Sequence, residues 1–254
     1  MTEPEIQAAA VPVPGLTQWQ RITNTFAAPS KTFEDIKRGN KSWWLPFILS
    51  IVFAYALFGA ITMKVGWSQV AENAISMNQK SAERMAQLPA EQRASAMKFT
   101  QYLTEGIFIA SPLMVLLIAA VIAGVMLGTI NFIFGGKASF GAVFAMWFYA
   151  SLPGLFKTLL GTIVLFAGMA PESFNLQNFA PTNLAAFLSI QDVGPALYRL
   201  ATALDFTTIW YLVLFSIGLS IVAGVKRSIG YIAVFGWWAI VVLFGVGWAA
   251  AFGA

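Results

Sequence analysis

GIFIASPLMVLLIAAVIAGVMLGTINFIF, from Gly106 to Phe134, is an apolar run without a charged side chain. It exceeds the roughly 18 residues at which such a run reads as a membrane span rather than a buried core helix. Four more segments read the same way: Trp43 to Val65, Phe140 to Met169, Thr207 to Val225 and Ile229 to Phe252. In lipid every backbone N–H and C=O has to be paired within its segment or around a closed barrel, and these continuous runs lack the alternation of barrel strands. The expectation is an all-α integral membrane protein with five transmembrane helices.

Composition points the same way. Hydrophobic residues make up 58% of the chain and charged residues 10%, and the mean hydropathy is +0.73, against about 45–50% apolar and about 25% charged in soluble domains. A water-soluble fold is excluded. The net charge of +4 is not expected to gather in a patch outside the lipid, so nucleic acid is not an expected partner. The chain has no Cys and no His, which removes disulfides, thiolate nucleophiles, zinc–thiolate sites, imidazole ligands and Ser-His or Cys-His pairs. An intramembrane enzyme would then need an Asp or Glu dyad in the lipid, and none is spaced for it. No catalytic, metal-binding or cofactor-binding set is expected, and no small-molecule substrate can be named.

Flanking Lys and Arg residues set the orientation. With a cytoplasmic N-terminus, that side holds Arg21, Lys31, Lys37, Arg38, Lys41, Lys137, Lys226 and Arg227, and the other side holds Lys80, Arg84, Arg93, Lys98 and Arg199. The expected topology is N-terminus in, C-terminus out. The first 40 residues lack the basic stub, apolar stretch and small-residue cleavage site of a signal peptide, so the first span is expected to direct insertion.

Three regions outside the five spans can be read further, the last of them an insertion in the membrane domain, residues 43–254. Residues 1–15 read as a disordered tail. Residues 16–42 read as cytoplasmic interfacial helices: Leu16, Trp19, Ile22 and Phe26 form an apolar stripe opposite Gln18, Arg21 and Asn24, and Pro29 ends the first helix. Ser30 or Thr32 can cap a second helix carrying Phe33 and Ile36, with Glu34 and Asp35 at its positive end. Lys37, Arg38 and Lys41 then meet the membrane surface beside a Trp43–Trp44 belt. These helices either anchor the chain or dock a partner. Residues 66–104 read as an extracytoplasmic helical hairpin broken at Leu88-Pro89, its second arm running on toward the second span. It is either a lid or a surface for another protein or a second copy.

Within the membrane, Lys157 lies 17 residues after Phe140, near the outer third of the bilayer, and Asp205 opens the fourth span from the same side. Opposite charges at similar depth cost less paired than alone. Lys157 and Asp205 either form an ion pair or Lys157 snorkels to water on its own stem. Lys64 and Glu105 form a weaker candidate pair. Pro153-Gly154 predicts a kink in the third span. Gly124 and Gly128 form a GxxxG motif, read mostly as packing within the bundle.

Ala28-Pro-Ser-Lys-Thr-Phe33 followed by Trp43-Trp-Leu-Pro46, Tyr149-Ala-Ser-Leu-Pro153, and Leu204-Asp-Phe-Thr-Thr-Ile-Trp210 leading to Ile217-Gly218 resemble the Yip family of Ypt/Rab-interacting membrane proteins, specifically its bacterial branch. The resemblance runs from about Trp19 to Phe252. Its motif positions here are Pro29, Phe33, Trp43, Tyr149, Pro153, Asp205, Trp210 and Gly218. It implies five spans, a cytoplasmic N-terminus and residence in a bacterial cytoplasmic (inner) membrane. Eukaryotic members of the family organise secretory-pathway membranes, bind small GTPases and form hetero-oligomers. Two functions follow for this chain. One is a non-enzymatic membrane organiser or accessory scaffold subunit whose partners are the lipid bilayer and other membrane proteins or itself. The other is a small-solute or ion permease using the kinked third span and the Lys157/Asp205 region.

Overall fold

The structure, a computed structural model, describes residues 14–252. The expected tail falls outside them apart from Pro14 and Gly15. In chain order the helices are α1 (Gln18–Ala27), α2 (Pro29–Lys37), α3 (Trp44–Lys64), α4 (Trp67–Ser76), α5 (Gln79–Gln87), α6 (Ala90–Ile109), α7 (Ser111–Gly128), α8 (Phe140–Ala150), α9 (Pro153–Phe166), α10 (Ile190–Ala203), α11 (Phe206–Ala223) and α12 (Arg227–Phe252). Five stretches are long and apolar enough to span a membrane: α3, Ser111–Ile133, Phe140–Phe166, α11 and most of α12. Among the described residues there is no strand, only an isolated antiparallel bridge between Asn183 and Asp205.

Several boundaries move, each for a backbone reason. The second span starts at Ser111 rather than Gly106, because Pro112 in the first turn of α7 brings no N–H and resets the helix there. Residues Gly106 to Ile109 instead finish α6. A π-turn over Thr129–Ile133 closes this span. The third span is cut at Ser151-Leu152, where Pro153 opens α9 as its first residue. That span stops at Phe166 rather than Met169, and Gly168 follows with φ near +103°. The expected two-armed hairpin has a further break in its first arm, since Asn78 caps a new helix by accepting from Ser81 N–H at 2.9 Å.

Residues 167–205 form a cap of three 3₁₀ turns and α10. α10 is broken at Gly194, with φ +75°, just before Pro195. Asn73 of α4 stitches the hairpin to this cap by donating to the Pro171 carbonyl at 2.8 Å and the Phe174 carbonyl at 2.9 Å. Phe174 packs into a small core with Leu57, Ile61, Trp67 and Leu165.

α11 is the most buried of the spans and α12 the least. Small residues let α11's neighbours close on it. A Cβ built on Gly218 would collide with Met146 and come 3.1 Å from Phe33, and one on Gly230 of α12 would collide with the Ser216 carbonyl. At Gly124 and Gly128, by contrast, an added Cβ meets nothing within 4 Å.

α1 and α2 pack into this bundle against α8 and α11. Thr17 and Gln20 form a capping box on α1. Phe33 reaches Gly218, while Phe26 sits edge-on to Trp210 at 5.4 Å and Phe156 at 5.6 Å. Trp210 lies about 20 Å along α11 from Ala223, so the pair of helices runs along the spans. The expected face assignment also changes. Arg21, placed on the polar face by the sequence pattern, is buried, and Asp35, expected at the positive end of the second helix, is buried in its last turn, whereas Trp19 is exposed.

Candidate functional site

The structure brings Lys157 and Asp205 together, with Nζ 2.9 Å from Oδ2. α9 carries the lysine and the start of α11 carries the aspartate, which caps that helix by accepting from Thr208 N–H at 3.0 Å. Two hydroxyls complete the carboxylate's shell: Thr207 donates to Oδ1 and Thr182 of the cap to Oδ2, each at 2.6 Å. Phe206 N–H donates to the Thr182 carbonyl at 2.9 Å, which fixes this part of the cap beside Asp205. Phe179 of the cap lies over the ammonium, 5.6 Å from ring centre to Nζ. Its ring fits there because Gly161, one turn after Lys157, has no Cβ to block it.

Each Asp205 oxygen therefore accepts two hydrogen bonds, which uses the carboxylate's acceptor capacity. Burial works to raise the Asp205 pKa, but the bonds from Thr182, Thr207, Lys157 and the Thr208 N–H outweigh it and hold the carboxyl below the usual carboxylate range. A carboxylate so held neither carries a proton near neutral pH nor offers a free lone pair to a cation. Beside it, Thr182, Leu184, Phe187, Leu204 and Phe206 line an open groove of about 390 Å³. Lys64 does not pair with Glu105 among the described residues; its Nζ lies 5.0 Å from the Phe166 ring centre.

A second charged cluster is one the sequence reading missed. Arg21 of α1 donates through Nη1 to the carbonyls of Asn40 at 2.9 Å and Ser42 at 3.0 Å, and through Nη2 to Asn40 Oδ1 at 3.0 Å. Its Nε is buried 3.6 Å from Asp35 Oδ2. Asp35 accepts from Leu16 N–H and from Asn40 Nδ2, both at 3.1 Å. The guanidinium sits 5.3 Å from the Tyr149 ring centre. The Tyr149 hydroxyl is within hydrogen-bonding distance of Gln18 Oε1 (2.5 Å) and the Ser42 carbonyl (3.0 Å), and Gln18 also bonds Ser42 Oγ. Along α8, Tyr149 is about 13 Å from Phe140, and it meets Ser42 just before the first span starts at Trp44.

The motif positions converge on the same joint. Pro29 opens α2, Phe33 meets Gly218, and Trp43 stacks on Phe148 at 5.1 Å, beside Tyr149. Trp210 stacks on Phe156, three residues past Pro153, at 5.7 Å with the rings 8° apart. Residues far apart in sequence thus meet where α1 and α2 join α8, α9 and α11. One missed partner had a local signal: Thr207-Thr208 after Asp205 is a helix-start pattern. Arg21 and Asp35 had none, being 14 residues apart on separate short helices.

Residues 23–249 match the family described as the Yip1 domain. No curated protein and no solved structure gives a significant match.

Proposed function

The chain belongs to the Yip1 domain family as a multi-pass membrane protein, and from that premise we propose that it is a non-enzymatic organiser or accessory scaffold subunit of the membrane. The observation that supports this reading is that both charged clusters at the spans are bonded within the chain. Polar groups in or against spans are usually functional or paired, and here the Lys157–Asp205 and Arg21–Asp35 clusters both bond inside the chain. Asp205 has four internal donors, and Arg21 gives both Nη groups to internal acceptors. At the Pro153 break, the natural place for a substrate path in a permease, Leu152 and Pro153 are buried.

On this reading the protein works through its outer helix faces, toward other membrane proteins or further copies of itself. We assign it to the bacterial branch of the family and to the cytoplasmic membrane, with the N-terminus and Lys137 in the cytoplasm and Glu91 outside. Residues 16–42 act as the cytoplasmic entry to the bundle and 66–104 as the outer hairpin.

Flux measurements test the organiser against the permease. Proteoliposomes of the purified protein should pass protons and potassium no faster than protein-free vesicles, and Lys157→Met should leave that unchanged. Flux above the vesicle background that Lys157→Met alters, in a variant of unchanged thermal stability, would sink the organiser reading. In the same cells an impermeant thiol reagent should label Glu91→Cys and spare Lys137→Cys; the reverse pattern overturns the orientation.

A further inference from the structure

At the end of the bundle where α11 stops and α8 and α12 begin, two tight turns touch. Lys137 N–H donates to the Ala223 carbonyl at 2.9 Å, and the approach depends on Gly136, where a Cβ would stand 3.0 Å from the Ile130 carbonyl and 3.1 Å from Ala223 Cβ. This contact sets Lys137 beside Gly224 to Arg227. α2 closes on the same place: Arg227 donates to Ser30 Oγ at 2.9 Å, and the Lys37 ammonium lies 3.6 Å from where a Gly224 Cβ would stand. The Lys41 stem lies against Gly141, 3.3 Å from its Cβ position.

Five basic side chains from four separate segments therefore crowd one end of the molecule: Lys37, Lys41, Lys137, Lys226 and Arg227, all exposed. None of them forms an ion pair among the described residues. The acids nearby do not balance them: Asp35 is buried against Arg21, which leaves Glu34 exposed on α2. Directly next to the bases the surface turns strongly apolar. Phe132 and Ile133 before Lys137 are 90% and 72% exposed, and Trp44 after Lys41 and Phe140 after Lys137 are about half exposed.

A band of bases bordered by large exposed apolar side chains matches the two layers of a lipid monolayer, phosphates above and acyl chains below. We propose that this end of the bundle is a docking surface for anionic phospholipid headgroups, with phosphates seated among Lys41, Lys137 and Lys226 and acyl chains against Phe132, Ile133 and Trp44.

Native mass spectrometry of the protein transferred from micelles holding equal phosphatidylglycerol and phosphatidylcholine tests this. The wild type should retain phosphatidylglycerol in preference, by about fivefold for each base engaged. Lys41→Gln/Lys137→Gln/Lys226→Gln should bring the ratio close to one. The corresponding triple Lys→Arg variant should keep it, which separates lost charge from lost fold. Lys80→Gln/Arg84→Gln on α5 should leave it unchanged. Equal retention of both lipids by the wild type, or an equal loss in the α5 variant, would overturn the proposal. So would an acidic polypeptide held on these bases with no lipid preference.

Discussion

Arg21–Asp35 and Lys157–Asp205 are both ion pairs set among apolar helices, and they are built in opposite ways. In the first, both side chains are 2% exposed and the cation is the hub, its guanidinium reaching two carbonyls, an amide oxygen and a carboxylate across α1, α2 and the linker to α3. In the second, the anion is the hub and the lysine is 21% exposed, one of four donors to a carboxylate whose main structural task is to start α11. A sealed pair depends on both members, because either one left alone is an uncompensated buried ion. A hub with a half-open partner depends mostly on the hub.

The largest expected effect follows from the sealed pair. Arg21→Met should destabilise the detergent-solubilised protein by about 3–5 kcal/mol, and Asp35→Asn by a similar amount, with the double variant recovering a large part. Thermal unfolding of the three variants measures it. Single losses that simply add, within about 0.5 kcal/mol, would show that the two charges are not coupled.

The two pairs also differ in how visible they were beforehand. Lys157 stands out as a lone charge in an apolar run, and Asp205 stands at the head of another, so hydropathy alone suggests their meeting. Five spans and the break at Pro153 are legible for the same reason: membrane crossing and proline leave marks in one dimension. Arg21 and Asp35 leave no such mark, because on a short amphipathic helix a charge facing water and a charge facing a buried partner have the same periodicity. Trp19, which the pattern placed on the apolar stripe of an interfacial helix, is exposed, while Phe26 on the same stripe packs on Trp210 and Phe156. The cap over residues 167–205 was illegible too, being held by side-chain bonds such as Asn73 to Pro171 and Phe174 that no local rule predicts.

The second prediction concerns the asymmetry of the outer pair. Asp205→Ala removes a helix cap and an acceptor for four donors and leaves Lys157 without its anion, at a cost of about 2–4 kcal/mol. Lys157→Met leaves Asp205 with three donors and should cost about 1 kcal/mol or less, because a partly exposed ammonium is already hydrated. Equal losses from the two variants, measured by the same unfolding assay, would mean that the lysine is sealed in the membrane and that this pair works like the first.

The smallest effect is one of pH, and it separates a held carboxylate from a titrating one. Because the folded protein holds the Asp205 pKa below the ordinary value of about 3.9, the unfolded chain binds the proton more readily. The stability contributed by the carboxylate is therefore full above that ordinary value and drains away as the pH falls below it, toward the depressed folded pKa. The gap in unfolding temperature between wild type and Asp205→Asn should stay constant from pH 8 to about pH 5 and narrow below about pH 4. A gap that narrows already between pH 7 and pH 5 would mean that Asp205 picks up a proton in the physiological range. In that case its four donors do not hold it as an anion, and the outer pair would return as a candidate for proton movement.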